Sequence, residues 1–282
     1  MPLRRIVSSS VAALLNRENA IEMREYDCFE SALLDSDSYE DPRLIEVVKE
    51  KTKRYRDRLE NSSIRAIENR QMAQNMFVLS YVEPQRPINV LEIGGACGAS
   101  YFEARVMLPN RIRRWSIVET PAMAAAGRSL TTDTSLAFHS DAASAVQELE
   151  TRDLAIAQGA LQYAGNPLRL LTSLFEFEMS HVYITRTAVT NMDTPIFTRQ
   201  VTRISEHGPG KMPDAPNVDS SQPMTLVSAP ALFGAIPSHY EIVFRFDESQ
   251  DRTLSIGGRS VGVRDIGFLA RRRASNVPGA RK

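Results

Sequence analysis

The chain has little of what staples or metallates a small fold. Its two cysteines, Cys28 and Cys97, are far apart and show no disulfide or zinc spacing. The four histidines, His139, His181, His207 and His239, are scattered, and no metal constellation is expected. There is no excess charge of either sign, because 34 Lys and Arg balance 34 Asp and Glu. Without a global basic field a nucleic-acid substrate is not expected. No apolar run is long enough to span a bilayer. The start carries Arg4-Arg5 ahead of Ile6 to Leu15, as a signal peptide would. Serines interrupt that stretch, and no small-residue cleavage site precedes Asn16-Arg17-Glu18. The expectation is a cytoplasmic protein.

What the chain does have is Val90-Leu91-Glu92-Ile93-Gly94-Gly95-Ala96-Cys97-Gly98-Ala99-Ser100. It reads as a buried strand, a carboxylate, a glycine-rich turn and a helix start. Glycines allow positive φ and close backbone approach to a ligand. The helix start then offers unpaired N–H groups. A dinucleotide fingerprint needs Gly-x-Gly-x-x-Gly. Counting from Gly94 puts Ala99 at the last glycine position, and counting from Gly95 gives Cys97 and Ser100. The pattern that fits is acidic-x-Gly-x-small-x-Gly, on Glu92, Gly94, Ala96 and Gly98.

The first 85 residues read as mostly helical. Asp41-Pro42 is a helix start, followed by Leu44, Val48, Tyr55 and Leu59 at helical spacing. A second helix is expected from Ile64 and Ile67 through Met72 and Met76 to Pro84. Pro84-Gln85-Arg86-Pro87 then marks a short linker. From 86 to 272 strands and helices alternate, which argues for a doubly wound α/β sheet. Strands are expected at 88–93, 115–119, 136–139, 154–157 and 181–185, and helices at 99–108, 122–130, 142–149 and 167–177. After Arg186 the pattern loosens into a Gly/Pro-rich loop, 206–223. A helix is expected within 225–235, and strands at 240–246 and 266–271 complete the sheet with antiparallel edges. Residues 273–282 read as a basic, loose tail.

The glycine-loop pattern resembles the first motif of class I S-adenosylmethionine-dependent methyltransferases, with Ala96 in place of the usual central glycine. A wider resemblance rests on Val90 to Phe102, Trp115-Ser116-Ile117-Val118-Glu119-Thr120-Pro121 and Gly159-Ala160-Leu161-Gln162-Tyr163. Arg186-Thr187, Gln200, Gly267-Phe268-Leu269 and the segment Tyr26 to Tyr39 extend it. These pieces are similar to the methyltransferase family often encoded beside bacterial surface-polysaccharide genes. Two departures fall on the acceptor side. Thr185 stands where that family usually has an aspartate, and Gln222-Pro223-Met224-Thr225-Leu226 lacks its aromatic character.

The resemblance implies a Rossmann-like class I methyltransferase sheet with helices on both faces, here with a helical N-terminal extension. It also implies S-adenosylmethionine as cofactor, and a small hydroxylated acceptor such as a sugar or polysaccharide precursor. In that reading Gly94, Gly95, Ala96 and Gly98 line the amino-acid moiety, and Glu92 lies near its cationic groups. Glu119, about 20 residues past the glycines, binds a ribose diol or is a solvated strand-end charge. Asp141 either accepts from the adenine amino group or caps the next helix. Gln158, Gly159 and Gln162 fall at the carboxyl end of a strand, where such sheets bind ligands. On the acceptor side the candidates are His207 as a loop-borne base, Tyr163, and Arg186 for an anionic group or a structural ion pair. A homodimer is left open. Two alternatives stand beside this reading: a nicotinamide-dependent oxidoreductase, and a non-catalytic subunit that keeps the cofactor pocket.

Overall fold

The computed structural model describes residues 23–206, 209–212, 219–248 and 251–274. The signal-like start, His207 and the tail beyond 274 lie outside the described residues. In chain order the elements are β1 (Glu25–Tyr26), α1 (Phe29–Leu34), α2 (Pro42–Asn61), α3 (Arg70–Tyr81), β2 (Ile88–Ile93), α4 (Ala99–Met107), β3 (Ile112–Val118), α5 (Pro121–Arg128) and β4 (Leu136–His139). They continue with α6 (Ala142–Gln147), β5 (Leu154–Gln158), α7 (Pro167–Glu176), β6 (His181–Thr190), β7 (Ile196–Arg203), β8 (Asp219–Ser228), α8 (Ala229–Gly234), β9 (Tyr240–Asp247), β10 (Arg252–Ile256) and β11 (Arg259–Arg272).

Strands β4, β3, β2, β5 and β6 lie side by side in that order, all parallel. Strand β11 adds antiparallel to β6, and β9 adds antiparallel to β11. This is the Rossmann-like α/β sheet expected from the sequence, antiparallel edge included. Its parallel strands are buried on both faces, as crossover helices require. Val90, Trp115, Ile117, Leu154, Ile156 and Tyr183 face α2, α3 and α4. Leu91, Ala155, Ala157, Val182 and Ile184 face α6, α7 and α8. Each large apolar side chain buried this way contributes about 1.5–3 kcal/mol.

The N-terminal helices belong to the first of these layers. Tyr55, Leu59, Met72, Met76 and Leu79 share one core with Trp115 and Ile117. Helix α2 starts where Asp41 accepts the Arg43 amide at 2.8 Å, with Pro42 at the first helical position. Helix α3 starts later than its sequence pattern suggested. Asn69 accepts the Met72 amide at 2.9 Å and sets the boundary, so Ile64 and Ile67 precede the helix, 75% and 56% exposed. The Pro84–Pro87 turn is held firmly: the Arg111 guanidinium donates to the carbonyls of Leu79, Val82, Glu83 and Arg86. A cation there also suits the carboxyl end of α3.

Three further expectations are corrected. Strand β3 begins at Ile112, not Trp115, because Ile88 and Asn89 pair with Ile112 and Arg114. Strand β6 runs on past Arg186 to Thr190. The loosened stretch after it holds two paired strands, β7 and β8. The helix expected within 225–235 is α8, capped by Ser228.

These additions close a small barrel beyond the carboxyl edge of the sheet. Hydrogen-bonded neighbours run β6, β11, β10, the chain at Met23 leading into β1, then β7, β8 and back to β6. Its interior holds Ala188, Ile196, Met224, Leu226, Ile256, Val261 and Val263. No helix of the described residues is long and apolar enough to cross a membrane.

Candidate functional site

The glycine turn sits where β2 ends and α4 begins. Gly94, Ala96 and Gly98 have φ of +73°, +49° and +91°. Ala96 therefore occupies the left-handed region, which costs an L-residue about 1–2 kcal/mol. Gly95 is needed for space: a Cβ there would stand 2.7 Å from the Glu92 carboxylate. At Gly94 a Cβ would come within 2.9 Å of Ala160 Cβ, so the turn lies directly against the loop after β5.

Two carboxylates flank this turn, Glu92 buried and Glu119 half-buried. Glu92 is 1% exposed, and its Oε2 accepts from Trp115 Nε1 at 2.8 Å. Burial pushes its carboxyl up to about 7 against the pull of the Trp115 and Ser100 hydrogen bonds, with Glu119 and Glu103 adding repulsion. Glu119 follows β3. Its Oε1 accepts from the Ala96 amide at 2.7 Å and its Oε2 from the Thr120 amide at 3.1 Å. Burial raises its pKa as well, opposed only by those two amides. One turn along α4, Glu103 is pushed up to about 7 by burial and accepts from Tyr55 at 2.7 Å. None of the three has a cationic neighbour among the groups that shift it. Cys97, buried under the turn, is pushed up to about 12 by burial, so its thiol stays protonated and serves as packing.

The loop after β5 brings the next group together. Gln158 accepts from Asn75 Nδ2 at 3.1 Å, which ties the strand end to α3. Gly159 has φ +62° and donates to the Thr185 carbonyl at 2.8 Å. Leu161–Tyr163 form a single 3-10 turn. Within it Gln162 is 6% exposed, donates from Nε2 to the Arg186 carbonyl at 3.0 Å, and leaves Oε1 without a partner. The Tyr163 hydroxyl donates to Gln200 Oε1 of β7. Asp141, after β4, accepts the Ser144 amide at 2.8 Å and caps α6; those hydrogen bonds hold its carboxyl low. The capping role is thus observed.

Several residues that matter here were not proposed from the sequence. Tyr39 lies edge-on to Tyr163, ring centroids 6.1 Å apart. Its hydroxyl pKa is raised by burial first, then by Tyr163 and Glu119. The segment carrying it is strapped across the carboxyl edge, with Asp37 accepting from the Ser221 amide at 2.7 Å and Glu40 from the Ala122 amide at 3.3 Å. Glu248 accepts from Thr185 Oγ1 and from the Arg186 amide. It fills the space left by Gly267, where a Cβ would lie 2.4 Å from its Oε1. A carboxylate is thereby present beside Thr185, supplied from the end of β9. The family resemblance over 26–39 was the one signal for Tyr39; no local pattern marks Glu248.

No protein-family model and no curated protein matches the chain. Among solved structures, the N-terminal domain of EvdMO1 with SAH bound is similar over 73% of this chain and 82% of its own, with 18% identity and a TM-score of 0.43. The sugar N-methyltransferase KedS8 from Streptoalloteichus sp ATCC 53650 is similar over 76% of this chain and 90% of its own, with 15% identity and a TM-score of 0.44. An S-adenosylmethionine-dependent methyltransferase from Clostridium acetobutylicum ATCC 824 covers 77% and is itself covered to 96%, with 9% identity and a TM-score of 0.42. At these values no activity, ligand or substrate passes from those proteins to this one.

Proposed function

We propose that the chain is an S-adenosylmethionine-dependent methyltransferase acting on a hydroxyl of a small acceptor, a sugar or a polysaccharide precursor. The observation that carries this reading is the pair of carboxylates at the glycine turn, buried Glu92 and half-buried Glu119, neither with a cation among the groups that shift it. A dinucleotide pyrophosphate placed on that turn would meet both. A donor bearing an ammonium and a sulfonium would be attracted by both, and burial strengthens the attraction.

The residues fit such a donor. Gly94 and Gly95 leave no side chain between the turn and its surroundings. Glu119 already uses one site on each oxygen for backbone amides, and an ionised carboxylate has about four acceptor sites, which leaves room for a ribose diol. Asp141, while capping α6, keeps an oxygen available for an adenine amino group. When bound, S-adenosylmethionine supplies a methyl group on a sulfonium whose leaving group is a neutral thioether. The chain's work is then to align the acceptor and exclude water. Tyr39 and the strap around it close over the carboxyl edge. Tyr163, its pKa raised mainly by burial, remains a neutral hydrogen-bond donor held by Gln200. It therefore orients an acceptor and does not deprotonate one.

Mass spectrometry of a panel of sugars and sugar derivatives, incubated with methyl-labelled donor and the protein, tests the activity. Transfer of label to an oxygen is expected. Donor binding with no transfer across the panel would favour a non-catalytic binding subunit.

A further inference from the structure

The backbone at Arg186 is strained and clamped. Within β6, Thr185 and Arg186 together oppose only Gly267 of β11, a β-bulge. Bulges of this kind re-aim a side chain. Arg186 takes φ +54°, a left-handed conformation that is unfavourable for an arginine. It is held there from both sides: its amide donates to Glu248, and its carbonyl accepts from Gln162 Nε2 at 3.0 Å. Strain kept in place by its surroundings is a feature of ligand clamps.

The side chain so aimed makes no hydrogen bond or ion pair to its guanidinium among the described residues, and Arg186 is exposed. The acids around it are engaged: Glu248 accepts from Thr185 Oγ1 and the Arg186 amide, where burial raises its pKa and the Arg186 charge only partly opposes that, and Asp265 holds Arg252 bidentate at 3.0 and 3.1 Å. The Arg186 Cζ lies 3.9 Å from where a Gly159 Cβ would stand, at the mouth of the loop after β5. Gln162, whose Nε2 holds the Arg186 carbonyl, has a buried acceptor without a partner, Oε1. A guanidinium fork near an unpaired acceptor recognises an anion that also carries a hydroxyl group.

We propose that Arg186, positioned by Glu248 and Gln162, selects an acceptor bearing a carboxylate or a phosphate, with Gln162 Oε1 accepting from one of its hydroxyls. The proposal rests on the methyltransferase reading and names its acceptor class.

Calorimetric titration tests it. A panel of hexoses, the matching uronates and the matching hexose 6-phosphates is titrated into the protein with and without S-adenosylhomocysteine. The anionic member of at least one series is expected to bind about tenfold or more tightly than its neutral parent. The series that shows the gap tells carboxylate from phosphate. Arg186→Gln is expected to close the gap, and Arg186→Lys to keep part of it, because charge survives and the fork does not. Equal binding of neutral and anionic sugars, or a gap that Arg186→Gln leaves intact, overturns the proposal. Heat from S-adenosylhomocysteine alone reports on the cofactor reading separately, so the two can fail independently.

Discussion

The Ala96 amide donates to Glu119 Oε1 at 2.7 Å, joining the glycine turn after β2 to the end of β3. One bond thus fixes two parts of the proposed donor site. It also holds Ala96 in a backbone region that alanine seldom adopts, at φ +49°.

Glu119→Gln is expected to cost about 1–3 kcal/mol of stability, because the amide –NH2 must face one of two buried backbone N–H donors. Urea denaturation of the two proteins at one pH checks this. An unchanged midpoint would mean that the turn does not depend on the carboxylate.

Ala96→Gly is expected to be neutral or to stabilise by less than about 1 kcal/mol. Relief of left-handed strain is partly offset by the entropy glycine adds to the unfolded chain. A thermal melt that drops clearly would show that the Ala96 methyl packs in a way the backbone strain does not reveal.

Gly95→Ala is expected to be harmful. The new Cβ would sit 2.7 Å from the Glu92 Cδ and Oε2, and Glu92 is fully enclosed and bonded to Trp115. Overpacking of this kind costs about 1–3 kcal/mol. The shift it forces on Glu92 is expected to weaken donor binding as well, measurable by calorimetry on the folded variant.

Stability should fall as pH rises through the range set by Glu92 and Glu103. Both carboxyls are pushed up to about 7 by burial. The folded state therefore holds protons that the unfolded state has released. Their contribution is fully present below the ordinary carboxylate value and is lost as pH climbs to about 7. Urea midpoints from pH 5 to pH 8 (spanning about that window) should decline in the native protein, and the slope should flatten in Glu92→Gln. The same ionisation should favour a cationic donor, so affinity for S-adenosylmethionine should improve with pH relative to S-adenosylhomocysteine, which lacks the sulfonium charge.

The parts legible in the sequence were those where a local pattern matches a local structure. The strand Ile88–Ile93 and the turn after it declared themselves by apolar run, carboxylate and glycines. Asp41-Pro42 marked the start of α2. Strands β7 and β8 were hidden because they line a barrel that receives polar side chains, and Pro223 stands opposite Arg199 in the ladder. Neither alternation nor a clean apolar run survives there. Glu92 and Glu119 could be proposed for the donor site from their places at strand ends. The clamp on Arg186 could not, because Glu248 arrives from 62 residues away and Gln162 from 24. Tyr39 owes its place to a strap whose anchors, Ser221 and Ala122, lie 184 and 82 residues from their partners.

The most direct test is calorimetric titration of S-adenosylmethionine into the native protein and into Glu119→Ala. The account expects saturable binding to the native protein, at least about tenfold weaker in the variant, which loses charge-assisted bonds. No heat of binding to the native protein at millimolar donor, or equal affinity in the two, would contradict it.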